Sequence, residues 1–281
     1  MARGSAGQSA LQRHLRVLSA FETRHPFQTL SEISERSGLA PSTVHRLLAE
    51  LLQEGLVERA EDRVYRLGVR LYEFASRTPG GLGLREISRP YLARVHSVVR
   101  QHAQIGVLAG TDVLTIEKLS ARDAVVNGSY IGGRTALALS GPGLVLLAHA
   151  PESLVAAVVA EGLPRSAAHP IHDAAELQHW LRRARKEGAV VADGWIYAES
   201  RSIAVPIYGP ARVVTGALCA IVPNDATPTR PTIELLQQAS TAITRELELA
   251  YAPHGDEGPG LRPLVASSTR SLEWLEAQPE G

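Results

Sequence analysis

The stretch 27–66, which is FQTLSEISERSGLAPSTVHRLLAELLQEGLVERAEDRVYR, contains the pattern that decides the fold of this chain. Thr29 stands three residues before Glu32, a spacing typical of a capping box that satisfies free N–H groups at a helix start. Gly38 supplies the left-handed backbone of a sharp turn. Pro41 suits the first position of a second helix, because no N–H is needed there. The stretch therefore predicts two helices joined by a tight turn.

The predicted second helix, 41–54, has an apolar and a polar face. The apolar residues recur at helical spacing, and they are Val44, Leu47, Leu48, Leu51 and Leu52. Near the helix start, the other face carries Ser42, Thr43, His45 and Arg46. Small hydroxyl side chains approach phosphates closely, and an arginine reaches a phosphate or a guanine edge. This composition favours a helix that enters the major groove of DNA.

A two-strand pattern follows the second helix directly. Residues 56–59 and 64–67 alternate around 60–63, and a helix pair followed by such a hairpin makes a winged helix-turn-helix. Arg59, Arg63 and Arg66 lie on or near this wing. The alternative is a small helical domain whose charged face is only solvated. We predict DNA contacts from Thr29, Ser31, Pro41, Ser42, Thr43, His45, Arg46, Arg59 and Arg63.

The overall charge does not by itself indicate a nucleic-acid partner. The chain has 29 Lys and Arg against 29 Asp and Glu, so its formal net charge is zero. Residues 1–80 hold 11 arginines against 9 acidic residues, which is only a small excess. DNA binding would therefore depend on individually placed arginines and on a dimer.

Bulk properties exclude several classes of protein. Hydrophobic residues make up 44% of the 281 residues, which excludes a mainly disordered chain and allows two domains. No apolar run is long enough to span a bilayer, and the start MARGSAGQSA has no apolar signal region. We therefore expect a cytoplasmic protein without a membrane partner. Cys219 is alone, which excludes an internal disulfide framework and a cysteine zinc site.

The segment 10–21, ALQRHLRVLSAF, has the pattern of an amphipathic helix. Helical spacing places Leu11, Leu15, Leu18 and Phe21 on one side of it. We predict that this apolar side faces inward, so that the segment packs under the helix pair as a third helix.

The clearest linker signal is Thr78-Pro79-Gly80-Gly81, because proline and glycine together interrupt regular structure. A short helix is predicted before it, at 68–77. The predicted organisation is a flexible start at 1–9, a winged helix-turn-helix domain at 10–68, a linker helix and loop at 69–83, a second domain at 84–252 and a disordered tail at 253–281.

The second domain mixes helices and strands. A long helix is predicted at 84–102 and a closing helix at 232–251. Strand patterns lie between them, at 103–108, 113–119, 129–131, 202–208 and 213–222. Antiparallel strands with helices packed beside them predict an α+β domain.

At this point the order of segments resembles the IclR-type family of bacterial transcription regulators. The segments that carry the resemblance are STVHRLLAELLQEGLV with VYRLG, then ALSGPGLVLLA, KEGAVVADGWIYAESRSIAVPI and VTGALCAIV. Together they cover roughly residues 10–250. The resemblance implies a winged helix-turn-helix domain joined by a helix to a GAF/PAS-like effector domain. It also implies homodimers or dimers of dimers on pseudo-palindromic double-stranded operators, a small-molecule effector, and neither catalysis nor a cofactor.

The resemblance also implies an effector pocket. Leu139, Ser140 and Gly141 correspond to the family's small-residue segment, where a helix start offers N–H donors to a carboxylate or another electron-rich group. The alternative is that these small residues only permit close helix-on-sheet packing. Many relatives have an acidic pair and a glycine where this chain has Trp195 and Glu199.

Other positions depart from the family pattern towards a less polar pocket. Ser202 stands where some relatives have a cysteine, and Cys219 and Ile221 stand where some have serines. We expect an aromatic or otherwise apolar effector with one carboxyl, hydroxyl or amide group. Trp195 is alternatively a core or lid residue. The predicted effector-binding residues are Tyr130, Ile131, Leu139, Ser140, Gly141, Trp195, Ser202, Cys219 and Ile221.

Two further signals are interpreted as background. His169, His172, Asp173 and His179 resemble a metal cluster, but solvated surface histidines are the preferred interpretation. Ser140 lacks the leading glycine of a nucleophile elbow. From these two interpretations we expect neither a metal site nor an enzyme. The competing hypothesis is a small-molecule sensor or enzyme of the α+β domain, with the winged helix used for protein contacts.

Overall fold

The structure is a computed structural model that describes residues 9–76, 79–163 and 169–250. The chain divides into two compact units, residues 1–78 and 79–281. Most of the predicted flexible start and all of the predicted tail at 253–281 lie outside the described residues. Ser9 is described, and its side chain caps the first helix by accepting a hydrogen bond from the Gln12 N–H.

The first unit contains three helices, a two-stranded hairpin and a fourth short helix. In chain order these are α1 (Ala10–Ser19), α2 (Leu30–Ser37), α3 (Pro41–Gln53), β1 (Val57–Arg59), β2 (Tyr65–Leu67) and α4 (Arg70–Ser76). The hairpin is antiparallel, with Glu58 opposite Arg66. Its core is formed by buried side chains of α1, α2, α3 and the hairpin, including Val17, Ile33, Val44, Leu47, Leu48, Val57 and Tyr65.

The signals for the helix pair act locally, and the structure confirms them. The Thr29 side chain accepts a hydrogen bond from the Glu32 N–H, and Glu32 Oε2 accepts one from the Thr29 N–H at 2.7 Å. Gly38 has φ 62° and ends α2 in the left-handed conformation. Pro41 is the first residue of α3. These features make α2 and α3 a helix-turn-helix, and the β1–β2 hairpin makes it a winged one.

The predicted inward face of α1 is confirmed for Leu18 and Phe21, which pack against the core, and wrong for Leu11 and Leu15. Leu11 and Leu15 are 68% and 51% exposed, whereas Val17 is fully buried. Polar contacts set this helix phase, because Arg16 donates to the Ser37 carbonyl and His14 Nε2 lies 2.7 Å from Glu50 Oε2. The packed side of α1 is therefore partly polar, and Leu11 and Leu15 of the first turns face away from the unit's core.

The second unit is a six-stranded antiparallel sheet with helices on both faces. Its helices are α5 (Pro79–Val99), α6 (Gly141–Ala148), α7 (Glu152–Glu161), α8 (Ala174–Glu187) and α9 (Arg230–Ala250). Its strands are β3 (His102–Ala109), β4 (Asp112–Ser120), β5 (Arg134–Ala136), β6 (Val190–Asp193), β7 (Ser200–Tyr208) and β8 (Val214–Pro223). The strand order is β5-β4-β3-β8-β7-β6. The predicted α+β class is confirmed.

Alternation along β7 divides the core between the two faces of the sheet. Ile203, Val205 and Ile207 belong to the cluster under α5 and α9, whereas Ala204 belongs to the cluster under α6 and α8. Successive strand residues point to opposite faces, so one strand contributes to both layers. The face under α6 also carries the cavity described below.

Five elements differ from the sequence prediction. The linker predicted at 78–81 is helical from Pro79 onward, because proline is tolerated in a first helical turn. The long helix ends at Val99 and His102 already belongs to β3. The strand predicted at 129–131 is absent from the described residues, where 121–133 form a loop. The two edge strands, β5 and β6, were not predicted from the sequence.

Candidate DNA-binding surface and effector cavity

The polar face of α3 is open on the first unit. Pro41, Ser42, His45 and Arg46 are exposed, and Thr43 is half-buried. Ala40 is the N-cap residue and provides no side-chain hydrogen bond to the first turn. The free N–H groups and the positive end of the helix dipole therefore remain available to an anion such as a phosphate.

Arg46 belongs to a small network of charged side chains. Its guanidinium pairs with Glu50, four residues further along α3, and Glu50 also binds His14 of α1. Because Glu50 is held from two sides, it orients Arg46 along the exposed side of α3. Exposed pairs of this kind contribute only about 0.3–0.5 kcal/mol to stability, so Arg46 can exchange Glu50 for a nucleic-acid partner at little cost.

Thr29 and Ser31, at the start of α2, are both exposed. The Thr29 hydroxyl donates to Glu32 Oε2 at 2.8 Å within the capping box. A phosphate contact from Thr29 would therefore compete with its role as the cap of α2, whereas Ser31 has no such role.

The wing carries arginines in three different settings. Arg59 lies over the Tyr65 ring, with 5.8 Å between the guanidinium carbon and the ring centroid. Arg66 is paired with Glu58, with 2.7 Å between Nη2 and Oε2. Arg63 is exposed at the hairpin tip and has φ 61°, an uncommon conformation for a residue other than glycine. The tip therefore presents an exposed arginine, which directly follows Glu61 and Asp62 in the chain.

The second unit holds a cavity of about 330 Å³ on the α6 face of the sheet. Strands β3, β4, β7 and β8, the loop 121–133, the start of α6 and the loop before β7 all contribute to its lining. Of the predicted effector-binding residues, seven line it: Tyr130, Leu139, Ser140, Gly141, Trp195, Ser202 and Ile221. Ile131 and Cys219 do not; Ile131 is 49% exposed and Cys219 is fully buried.

Cys219 lies behind Ser202, and the Cys219 Sγ is 3.3 Å from the Ser202 Oγ. Burial raises the pKa of the Cys219 thiol to about 12, because a thiolate is poorly stabilised in an apolar core. Cys219 therefore supports the cavity wall as a neutral side chain and is not a nucleophile.

We expect the Cys219 thiol of the native protein to resist an aromatic disulfide reagent such as DTNB at pH 8. Reaction requires a thiolate and access, and the buried neutral thiol offers neither. Because Cys219 is the chain's single cysteine, the absorbance change reports this site alone. The same protein unfolded in concentrated urea should rapidly release one equivalent of the reagent's aromatic thiolate per chain. Rapid stoichiometric release from native protein would contradict this placement.

Close packing explains the small residues at the start of α6. The Ser140 side chain caps the helix by accepting a hydrogen bond from the Gly143 N–H at 3.2 Å. A Cβ atom at Gly141 would lie 2.8 Å from the Ser202 Oγ, so glycine is needed for this close approach. Both alternatives for this segment therefore apply: its residues line the cavity, and they also permit close helix-on-sheet packing.

An aromatic cluster forms the back of the cavity. Trp195 is 7% exposed and belongs to the core cluster while also lining the cavity. Its ring meets Trp180 edge-on at 5.0 Å and His169 at 4.7 Å between centroids. The prediction of a solvated surface histidine is wrong for His169, which is 1% exposed. Burial lowers its pKa, because the charged form is desolvated.

Several polar lining residues were missed by sequence analysis. They are Gln104, Thr115, Asn127, Ser129, Arg134, Thr135, Tyr197 and Ser200. Arg134 contributes the one charged side chain of the described lining, and it binds the Ala109 carbonyl at 2.8 Å and Asp112 at 3.4 Å. The described lining contains no carboxylate, so the cavity favours anionic or neutral ligands over cationic ones.

Two negative findings hold for residues 9–76, 79–163 and 169–250. No group of three or more His, Cys, Asp or Glu side chains among them is arranged to hold a metal ion. None of their helices combines the length and the apolar character needed to cross a bilayer.

The two units define a class of protein: a winged helix-turn-helix unit carried on the same chain as an α+β unit with a ligand-sized cavity. Comparison with known families identifies which members of this class it resembles. The model described as "IclR helix-turn-helix domain" matches residues 10–61, and the one described as "Bacterial transcriptional regulator IclR C-terminal" matches residues 78–245. The chain belongs to the IclR family of helix-turn-helix transcriptional regulators, and it is a regulator and not an enzyme.

Individual relatives cover most of the chain. The HTH-type transcriptional regulator BhcR of Paracoccus denitrificans is 30% identical over 263 residues, which is 92% of each protein. XynR of Escherichia coli is 27% identical and covers 85% of this chain and 96% of its own. The crystal structure of an IclR homolog from Microbacterium hydrocarbonoxydans, complexed with 4-hydroxybenzoate, is 38% identical with a TM-score of 0.80. It covers 86% of this chain and all of its own.

Proposed function

We propose that the protein binds an operator through α3 and the wing, and that a small aromatic acid in the cavity modulates this binding. The observation that carries the proposal is the lining of the cavity, in which aromatic and aliphatic side chains meet neutral hydrogen-bonding groups and one arginine, without any carboxylate in its described part. The exposed arginines and open helix start of the first unit support the DNA-binding half.

The DNA-binding half assigns roles to the exposed residues. We propose that Pro41, Ser42, Thr43, His45 and Arg46 enter the major groove, because they share the start of α3. Thr29 and Ser31 contact phosphates from the start of α2. Arg59 and Arg63 of the wing contact the neighbouring backbone or minor groove.

Replacing Arg63 with alanine should weaken binding to operator and to unrelated DNA by a similar factor. A phosphate contact carries no base information, and its loss should lower the salt-dependence slope by about 1. Fluorescence anisotropy across a salt titration measures both quantities. Arg66→Ala is the matched control on the same wing, because Glu58 already neutralises Arg66. A loss confined to the operator sequence would place Arg63 at a base instead.

The proposal that the cavity binds a small aromatic acid rests on the volume of the cavity and on the chemistry of its lining. A cavity of about 330 Å³ lies at the lower end of the range for small-molecule sites, roughly 300–1,000 Å³, so it suits a single substituted ring. Trp195, Tyr130 and Tyr197 provide aromatic contact area. At the start of α6, Pro142 has no N–H and the Gly143 N–H is bound to Ser140, so the Gly141 N–H and the positive end of the helix dipole remain for a carboxylate. The relative that was crystallised with 4-hydroxybenzoate supports the same ligand class.

Calorimetry on the full chain tests the effector half. We expect binding of 4-hydroxybenzoate and no measurable binding of benzylamine, which carries a cation in place of the carboxylate. An operator-binding assay with 4-hydroxybenzoate then tests whether occupancy changes DNA affinity, as any effector must by differential binding. Tight binding of glyoxylate without any aromatic acid would overturn the proposed ligand class.

We further propose a homodimer or dimer of dimers on a pseudo-palindromic operator, acting in the cytoplasm where a bacterial genome is found. The small excess of arginine in residues 1–80 supports this, because one DNA-binding unit offers few phosphate contacts. Light scattering of the protein with and without operator measures the subunit number. A monomer on DNA would overturn the proposal.

A further inference from the structure

Gln104 of β3 is held in one orientation by a chain of hydrogen bonds. Asn127 Oδ1 accepts from the Ser129 N–H at 3.0 Å, which directs the Asn127 amide nitrogen away from that contact. Asn127 Nδ2 then donates to Gln104 Oε1 at 3.1 Å. The Ser129 hydroxyl also lies 2.6 Å from Gln104 Oε1. The carbonyl oxygen of the Gln104 amide is therefore an acceptor, which fixes the position of its nitrogen.

The loop that orients Gln104 is itself anchored to the sheet. Lys118 Nζ donates to the Ser129 carbonyl at 2.6 Å. The Ser200 hydroxyl donates to the Val126 carbonyl at 2.6 Å, and His102 Nε2 lies 2.6 Å from the Val125 carbonyl. Three strands thus hold the segment 125–129 against the cavity. The Gln104 orientation is consequently built into the fold.

This orientation leaves the Gln104 amide nitrogen without a protein partner. Gln104 is 7% exposed and lines the cavity, and no acceptor for its Nε2 exists among residues 9–76, 79–163 and 169–250. The Thr115 hydroxyl, on a residue that is 4% exposed and lines the same cavity, likewise has no hydrogen bond within that part of the chain. Neither atom is among the fully enclosed polar atoms that lack a partner, so both are accessible from the cavity. A ligand that displaces water there meets a donor and a hydroxyl that the described residues leave unpaired, so both groups point to a ligand.

The two side chains share one face of the β3–β4 pair. Gly106 is opposite Thr115 in the register, and Gln104 lies two residues before Gly106 on the same strand. The register shifts between Ile105 and Gly106, but the extra residue, Ile116, is on β4, so β3 keeps its alternation. Residues two apart on a strand point to the same face. Gly106 has no side chain, and a Cβ atom there would lie 2.4 Å from Val113. Gln104 and Thr115 therefore form a polar wall, a term used below for these two residues.

We propose that the polar wall binds a hydroxyl group of the effector and thereby selects hydroxylated aromatic acids; this rests on the proposed function above. A hydroxyl accepts a hydrogen bond from Gln104 Nε2 and donates one to Thr115 Oγ1, so both buried groups are satisfied. A ligand that carries only a hydrogen atom at this ring position leaves both the Gln104 amide nitrogen and the Thr115 hydroxyl without a hydrogen-bond partner. An aromatic amino group is a poor acceptor and leaves the Gln104 donor unpaired.

The test compares three ligands that differ at one ring position: 4-hydroxybenzoate, benzoate and 4-aminobenzoate. Calorimetry on the full-length protein should show 4-hydroxybenzoate binding about tenfold more tightly than either analogue, because each analogue leaves a buried polar group unpaired. Equal binding of all three would overturn the polar-wall inference while the proposed ligand class stands. Binding of none would overturn the ligand class, and the inference with it.

Two variants assign the selectivity to the polar wall. Thr115→Val is nearly isosteric, and it should weaken 4-hydroxybenzoate binding about fivefold while leaving benzoate binding unchanged. Gln104→Met removes the amide, and any loosening of the segment 125–129 would weaken both ligands alike. The readout is therefore the ratio of the two affinities, which should fall in both variants. A wild-type ratio in both would overturn the assignment.

Ser88→Ala is the matched control for the loss of a hydroxyl. Ser88 is fully buried, its hydroxyl has no hydrogen bond within the described part of the chain, and it does not line the cavity. The affinity ratio in this variant should equal that of the wild type. A fall in this ratio equal to that in Thr115→Val would show a general effect of core hydroxyls and would overturn the inference.

Discussion

Replacing Arg46 with alanine is expected to weaken operator binding by about 1–3 kcal/mol, or roughly 5- to 150-fold. Arg46 is exposed at the start of α3, where a recognition helix contacts base edges. Its only described ion pair is with Glu50 on the same helix, and this exposed pair is worth about 0.3–0.5 kcal/mol. Folding stability should therefore change little. Anisotropy with operator DNA, combined with urea unfolding, separates the two effects.

Two variants show whether the lost affinity belongs to the position of Arg46. Arg230→Ala removes the same charge from an equivalent pair, since Arg230 and Glu234 are also four residues apart on an exposed helix; operator affinity should not change. Glu50→Gln removes the competing carboxylate and should preserve or strengthen binding. Equal losses of operator affinity in Arg46→Ala and Arg230→Ala would show that the effect arises from net charge alone. Arg46 would then not belong to the DNA interface.

The helix pair could be predicted from sequence because its signals are local. The capping box of Thr29 and Glu32, the left-handed Gly38 and Pro41 each act within a few residues of their own position. Together they define both helix ends and the turn. The predicted residues of α3 therefore fall on its exposed start without any knowledge of tertiary contacts.

The phase of α1 could not be predicted in the same way. Helical periodicity indicated Leu11 and Leu15 together with Leu18 and Phe21, of which only the last two pack inward. The packed side also includes Arg16 and His14, whose partners Ser37 and Glu50 belong to other helices. Hydrophobic periodicity contains no information about such contacts. The same limit applies to Cys219, because strand alternation does not show that Ser202 stands between it and the cavity.

The polar residues of the cavity were missed for a related reason. Gln104 and Thr115 sit in strands whose sequences show no binding motif, and Asn127 gave a turn signal that led to an incorrect strand prediction at 129–131. Their roles arise from the loop 121–133, which is fixed by side chains of β3, β4 and β7. A long-range arrangement of this kind becomes visible only when the strand register is known.

Replacing Arg85 with methionine should destabilise the second unit by about 2–4 kcal/mol, because it leaves a buried carboxylate without its main partner. The Glu117 side chain is 5% exposed, with Arg85 Nε 3.0 Å and Arg89 Nε 4.0 Å from its Oε2. The Arg85 contact is an ion pair without hydrogen-bond alignment, so Oε2 depends on charge alone. Urea unfolding monitored by circular dichroism measures the loss.

A double-mutant cycle shows that the cost arises from the stranded charge. Glu117→Gln removes the carboxylate, so Arg85→Met combined with Glu117→Gln should be more stable than Arg85→Met alone. Arg183→Met is the matched control, since its pair with Glu187 is half-exposed on α8, and it should change stability by less than about 0.5 kcal/mol. A double variant as unstable as the sum of its single variants would show that Arg85 stabilises the unit by packing. In that case Arg89, whose Nε is 4.0 Å from Glu117 Oε2, would be sufficient to stabilise the buried carboxylate.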